Sequence, residues 1–290
     1  MRWSRGDRSN VEDLRGRPGI GIRAGVPLGL GGLVIILLLS WLTGTDLLSL
    51  LGGGEVSVPP SASVSSSRRA ATSPDEERLV DFVDAVMRDA QGTWRQLLGE
   101  RYQPTRVRLF RDVIQSACGT AESATGPFYC PADHLIYLDL GFFDELGQRF
   151  AAPGEFAQAY VVAHELGHHV QALLGIDRRV RAAQQARPSQ ANALSVAIEL
   201  QADCFAGVWG HVASQPGRAQ QGGVELDPGD VEAGLRAAAA IGDDRIQRIA
   251  TGRVFPERFT HGSSEQRVTW FTRGLTSGSV AACNTLGGEQ

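Results

Sequence analysis

The sequence predicts an α+β fold, mainly helical with a small sheet, preceded by one transmembrane helix. Long segments with apolar residues at helical spacing dominate the chain after residue 73, and short β-type runs occur only between Val107 and Leu138. Such an unequal mixture of helices and strands is typical of α+β domains. The 290 residues then divide into a basic N-terminus (1–23), a transmembrane helix (24–45), a flexible linker (46–73) and a domain (74–290).

The transmembrane helix is predicted from charge. Residues 24–45 form an uncharged run, and as a helix they span roughly 33 Å, enough to cross the hydrocarbon core of a bilayer. Residues 1–23 hold six arginines and three acidic residues, a net charge of +3. This excess predicts a cytoplasmic N-terminus and a periplasmic or extracellular domain. The alternative is a cleaved signal peptide, although no A-x-A site follows directly.

The remaining elements follow from composition and periodicity. Residues 46–73 are rich in glycine, serine and proline, which predicts a flexible tether. Ser73, Pro74 and Glu76 have the pattern of a capping box and predict a helix to about residue 98. Apolar spacing predicts further helices at 142–150, 154–174, 189–211, 227–249 and 264–274, strands at 107–110 and 135–138, and a loop at 119–133.

A metal-binding pattern lies in the second of these further helices. Residues 160–171 read YVVAHELGHHVQ, so His164 and His168 are four residues apart and project from one helix face. Glu165 follows the first histidine, which completes the H-E-x-x-H arrangement of zinc hydrolases and makes Glu165 the candidate general base. His169 points about 100° away around the helix and is poorly placed as a ligand. Leu174 stands where the extended motif has a third histidine, so that class of site is excluded.

Glu199 is the predicted third metal ligand. Catalytic zinc takes three protein ligands and keeps one open position, which predicts one Zn²⁺ per chain here. Asp203 lies one helical turn after Glu199 and is predicted to accept the free ring N–H of a zinc-binding histidine. The alternative is that both carboxylates form a solvated helix face. Neighbours such as Ile198, Leu200 and Phe205 are unusually apolar for such a face.

His261 is a candidate catalytic residue. Amide hydrolysis passes through an oxyanion, and a histidine donor directed at that oxygen stabilises it. Arg267 is interpreted as a neighbour that supports His261. The alternative is a structural or capping histidine beside a helix start. His134 and His211 are interpreted as ordinary surface or packing histidines, and Tyr160 as a core residue.

The four cysteines predict disulfide bonds if the domain lies outside the cytoplasm. Cys118 and Cys130 enclose a short loop with glycine and proline and are the natural first pair. Cys204 and Cys283 then remain as the second pair, although four cysteines allow three pairings. The alternative is four buried free thiols.

Several short motifs resemble those of the bacterial "putative neutral zinc metallopeptidase" family of single-span membrane proteins, over nearly the whole chain. The matching segments are RSNVED at 8–13, RG at 15–16, CGTA at 118–121, GPFYCP at 126–131, YLD at 137–139, FFDEL at 142–146, HELGHHVQ at 164–171, ELQADCFA at 199–206 and HG at 261–262. Leu14 departs from the arginine that is usual in the N-terminal motif.

The resemblance implies a zincin-type metallopeptidase fold with glutamate as the third zinc ligand. It also implies a strand beside the active-site helix that pairs with an extended substrate, for which 135–138 is the candidate. The main hypothesis is therefore a membrane-anchored zinc peptidase whose partners are a peptide or protein substrate and the lipid bilayer. The alternatives are an inactive extracytoplasmic zinc module that binds a protein or envelope partner, and a metal-free structural protein. The net charge of −4 argues against nucleic acid as a partner.

Overall fold

The computed structural model describes residues 1–16, 73–123, 126–148 and 152–287, and it confirms the predicted α+β class within them. The helices are α1 Pro74–Leu98, α2 Gly141–Gln148, α3 Glu155–Leu173, α4 Ile176–Ala186, α5 Ala191–Ala213, α6 Asp230–Ala240, α7 Asp243–Thr251 and α8 Ser264–Ser277. The strands are β1 Val11–Asp13, β2 Arg106–Phe110, β3 Val113–Ser116, β4 Gly119–Glu122, β5 Phe128–Cys130 and β6 Leu135–Asp139.

The predicted transmembrane helix at 24–45 and all but the last residue of the predicted linker lie outside the described residues. Among the helices that are described, none combines the length and the apolar character that a bilayer crossing needs.

The strands form two sheets. The larger has the order β1-β2-β6-β5, with β1, β2 and β6 parallel and β5 antiparallel at one edge. The smaller is the antiparallel hairpin of β3 and β4. Apolar residues of β2 and β6, such as Val107 and Ile136, are fully buried against the helical core. They belong to the same buried cluster as the apolar residues of α3.

The N-terminal residues belong to the same unit as the rest of the described chain. Val11 of β1 is in register with Val107 of β2. The Asn10 side chain donates to Asp84 and accepts from Gln91, both on α1. The sequence predicts an N-terminus at 1–23 that is separate from a domain beginning at residue 74. The difference arises because, among the described residues, Arg2, Arg5, Arg8 and Arg15 pair with acidic residues of the domain, as Arg8 does with Glu77 and Asp81.

The central helices α5 and α8 cross with their backbones in close contact. Gly207 and Gly274 allow this approach, because a Cβ at Gly274 would overlap the carbonyl oxygen of Cys204. The predicted capping box at the start of α1 is present, with Ser73 and Glu76 bonding to each other's backbone N–H. A second capping box, Ser263 with Gln266, begins α8.

The sequence analysis missed β1, β3 and α4, and two of its predicted segments need correction. The predicted loop at 119–133 contains β4 and β5, which are too short to show an apolar alternation. The predicted helix at 227–249 is two helices, α6 and α7, separated at Gly242. A Cβ at Gly242 would collide with Ser264, so the chain turns there in close contact with the start of α8. Helix α4 was not predicted, because most of its residues are polar or small and only Ile176 and Val180 mark a buried face.

Both predicted disulfide bonds are confirmed. Cys118 in the β3–β4 turn is bonded to Cys130 of β5, and Cys204 of α5 is bonded to Cys283 in a short 3₁₀-helix, Val280–Cys283. The alternative of free thiols is therefore wrong.

Candidate metal centre

Helices α3 and α5 bring three predicted metal ligands together. His164 and His168 project from α3, Glu199 projects from α5, and one ligand atom of each lies within 4.8 Å of the others. The Nε2 atom of His164 is 3.2 Å from one carboxylate oxygen of Glu199, and Nε2 of His168 is 3.5 Å from the other. The two imidazoles therefore converge on one carboxylate.

Asp203 fixes the orientation of the His164 ring. Its carboxylate lies 2.9 Å from Nδ1 of His164 and is fully buried. Arg267 donates two further hydrogen bonds to Asp203, of 2.9 and 2.8 Å, and the Tyr160 hydroxyl donates another. Because an ionised carboxylate can only accept hydrogen bonds, Nδ1 of His164 carries a proton, which leaves Nε2 as the nitrogen that can bind a metal ion once it has lost its own proton.

Gln171 fixes His168 in the same way. Its Nε2 group donates to the carbonyl of Ile198 at 2.6 Å, so its Oε1 atom is an acceptor for Nδ1 of His168 at 2.9 Å. Nδ1 of His168 therefore carries a proton, and Nε2 is again the nitrogen that can bind a metal ion. Both tautomers suit metal binding through Nε2.

The carboxylates at this centre are held in the charged form. Burial raises the pKa of Glu199, but His168 and His164 hold it well below its ordinary value. Burial likewise raises the pKa of Asp203, but Arg267 and His164 lower it overall. Burial disfavours charging of His164, yet Asp203 and Glu199 outweigh burial and raise its pKa to about 9. A metal ion therefore competes with a proton for Nε2 of His164.

This donor set suits zinc. Two neutral imidazole nitrogens and one carboxylate oxygen are the ligands of a catalytic zinc site, which leaves one coordination position open. Each histidine has its second ring nitrogen bonded to an acceptor, as zinc-binding histidines almost always do. Within the described residues, this is the group of histidine and carboxylate side chains whose ligand atoms lie close enough together to hold one metal ion.

The three ligands open onto a cleft of about 700 Å³. Glu165 lines the same cleft and is almost fully buried. His261 lines it as well, and its Nδ1 lies 3.3 Å from Asp243. The hydrogen bond to Asp243 raises the pKa of His261 against the effect of burial.

Asp243 was not predicted as a site residue, although it organises the loop that carries His261. One of its oxygens accepts the backbone N–H groups of Thr260, His261 and Gly262. Asp243 lies inside the helix predicted at 227–249, a position that predicts no special role for it. Gln171 and Tyr160 were also missed as partners of the metal-binding histidines. The signal available for Gln171 in the sequence was its position: it is a polar residue in an apolar helix, one turn after the ligand His168.

Arg267 lines the cleft with His261, and its guanidinium donates to Asp203, Tyr160 and a backbone carbonyl and lies 3.4 Å from Nδ1 of His164. The remaining histidines lie outside the ligand group. His169 donates from Nε2 to the Gln103 carbonyl at 2.7 Å, and burial lowers its pKa to about 4, so its ring is neutral. His134 bonds to Tyr129, and His211 to the carbonyl of Leu275.

The expected position of the substrate-pairing strand is wrong. Over residues 135–137, strand β6 is paired with β2 on one side and with β5 on the other, so neither edge is free there. Strand β5 ends the sheet, and its residues Phe128 and Tyr129 line the cleft. With three residues, β5 is too short to show a strand pattern in the sequence.

Comparisons with known proteins agree with this geometry. Residues 1–286 match the family described as "Putative neutral zinc metallopeptidase". The chain is 45% identical to the uncharacterized protein YpfJ of Escherichia coli (strain K12) over 298 aligned positions, which cover 99% of each chain. It is 44% identical to the uncharacterized protein Rv2575 of Mycobacterium tuberculosis over 220 positions, 74% of this chain and 73% of that protein. No solved structure matches the chain significantly. The extent of the family match and the identity to YpfJ show that the chain belongs to the "putative neutral zinc metallopeptidase" family.

Proposed function

We propose that this protein is a membrane-anchored, zinc-dependent peptidase that hydrolyses peptide bonds. The observation that carries the proposal is the convergence of two histidine Nε2 atoms on Glu199, inside a cleft that Glu165 and His261 also line. Family membership supports the same chemistry. A cleft of this size accommodates several residues of an extended peptide.

We assign the steps of the reaction to a small number of side chains. His164, His168 and Glu199 would hold the zinc ion, which would supply a Lewis acid able to polarise a carbonyl and lower the pKa of water. Glu165 accepts a proton from the attacking water and then delivers it to the leaving amine. His261 donates a hydrogen bond to the carbonyl oxygen as negative charge develops there, and Asp243 holds its ring.

The buried group of Asp203, Arg267 and Tyr160 has a positioning role. Asp203 bonds to His164, and the charge of Arg267 keeps Asp203 anionic in an apolar interior. An ionised acceptor on Nδ1 makes the opposite nitrogen a stronger ligand. The group thus sets both the direction and the basicity of His164.

We propose that the uncharged segment 24–45 attaches the protein to a bilayer and that the domain lies outside the cytoplasm. The two disulfide bonds support the second point, because such bonds persist in oxidising compartments.

Removal of zinc is expected to abolish hydrolysis by the purified full chain. The measurement is metal content together with cleavage of an unfolded protein such as casein, before chelation, after it, and after addition of Zn²⁺ or Mg²⁺. We expect one zinc per chain, loss of activity on chelation and recovery with Zn²⁺ only, because the donor set suits zinc and not magnesium. One zinc per chain with no hydrolysis would instead favour the inactive zinc-binding module.

Replacing His261 with alanine is expected to lower kcat by about 10²–10³-fold while zinc content stays unchanged, because one oxyanion donor has roughly this value. Steady-state kinetics and metal analysis check this result. His211→Gln is the control, since His211 bonds to the Leu275 carbonyl and does not line the cleft. An unchanged kcat in His261→Ala would assign His261 a structural role.

A further inference from the structure

Helix α7 presents apolar side chains that the folded chain leaves uncovered. Ile246 is 38% exposed and Ile249 is 50% exposed, and their spacing of three residues puts them on one helix face. The other large apolar residues exposed in the described ranges are Leu97 at 41% and Val113 at 37%. Those two lie on α1 and β3 and do not line the cleft.

The exposed face of α7 is continuous with the metal centre. Ile246, Ile249 and Ala250 line the cleft that His164 and Glu165 also line. The charged side chains of α7 after its first residue, at 244, 245 and 248, are absent from this lining. The apolar surface of α7 therefore faces the reaction site and its charges do not.

Hydrogen bonds fix α7 relative to the catalytic residues. Its first residue, Asp243, bonds to the ring and the backbone of His261. Ile241, just before α7, and Ile198, beside Glu199, extend the same apolar wall. A side chain bound against this wall would lie next to a peptide bond held between Glu165 and His261.

We propose that Ile246 and Ile249 form a specificity subsite for a large aliphatic or aromatic side chain of a peptide substrate. The proposal rests on the proposed peptidase function and names the substrate class for the same cleft. An exposed apolar patch inside a cleft is the usual form of such a subsite. Apolar pockets discriminate by about 10–200-fold between side chains that differ in apolar bulk.

The test measures binding, so that it does not depend on turnover. The zinc-loaded full chain carries Glu165→Gln to keep peptides intact. Two fluorescent peptides of glycine, alanine and serine differ at one central position, leucine in one and its near-isostere asparagine in the other. Fluorescence anisotropy is expected to give at least about tenfold tighter binding of the leucine peptide. The preference should disappear when Ile246→Asn and Ile249→Asn are added.

The matched control adds Leu97→Asn and Val113→Asn instead, which changes two similarly exposed apolar residues away from the cleft, and the preference should remain. Ile246→Ala with Ile249→Ala is a second variant that removes the same surface without adding polar groups. Equal binding of both peptides to the parent would overturn the proposal, as would a preference that survives both α7 variants. Self-association of the parent that the α7 variants abolish would overturn it in favour of a contact between copies.

The same peptides given to the chain with Glu165 intact separate the two proposals. Cleavage without any preference for leucine would refute the subsite and leave the peptidase function standing. A leucine preference in binding without any cleavage would refute the peptidase function and leave the subsite standing.

Discussion

Glu165→Gln is expected to reduce kcat by about 10²–10⁴-fold, the usual contribution of a positioned general base. Glutamine keeps the shape of the side chain but cannot accept the proton of the attacking water. Zinc content should stay at one per chain, because His164, His168 and Glu199 form the ligand group without Glu165. Peptidase kinetics and metal analysis of the same preparation measure both results.

The matched control is Glu155→Gln, the same change at the start of the same helix. Glu155 pairs with the exposed Arg78, a surface contact of small value, so activity should be unchanged. Glu199→Gln should behave differently from both, because it weakens zinc binding itself. Full activity of Glu165→Gln would show that another group accepts the proton.

Gly274→Ala is expected to destabilise the domain by about 3 kcal/mol or more, at the upper end of overpacking changes. The new Cβ would meet the backbone carbonyl of Cys204, which cannot rotate away as a side chain can. Helix α8 would have to move, and it carries Arg267, which supports Asp203. Denaturant unfolding measures the free energy, and a chelator competition should show weaker zinc binding.

Gly92→Ala is the control for the Gly274 variant. Gly92 lies inside α1, and a Cβ there meets no atom within 4 Å. Alanine at a helical position is more favourable than glycine by roughly 0.5–1 kcal/mol, so this variant should gain stability. If the Gly274→Ala protein were as stable as the parent, the backbones of α5 and α8 would not be in close contact at Gly274.

Most features that could be predicted from the sequence are local; the exceptions are the Cys204–Cys283 bond and the ligand Glu199, for which few residues of suitable chemistry compete. Ser73, Pro74 and Glu76 lie within four residues and mark the start of α1. His164 and His168 lie one turn apart, so their common face follows from helix geometry alone. The pairing of Cys118 with Cys130 depends on a separation of 12 residues.

The features that could not be predicted depend on distant residues. Arg267 reaches Asp203 across 64 positions, and Asp243 reaches His261 across 18 after a break at Gly242 that helical periodicity does not reveal. Strand β5 has three residues and becomes recognisable only beside β6. Such contacts are decided by tertiary packing, which leaves no periodic signal in the chain.

The position of β1 also changes where the folded domain begins. Residues 1–16 belong to the same unit as the described residues from 73 onward, and β1 is hydrogen-bonded to β2. Removing residues 1–16 would leave one edge of β2 without its hydrogen-bonding partner, and Asp84 and Gln91 without Asn10. A fragment that starts at residue 74 would therefore lack part of the sheet.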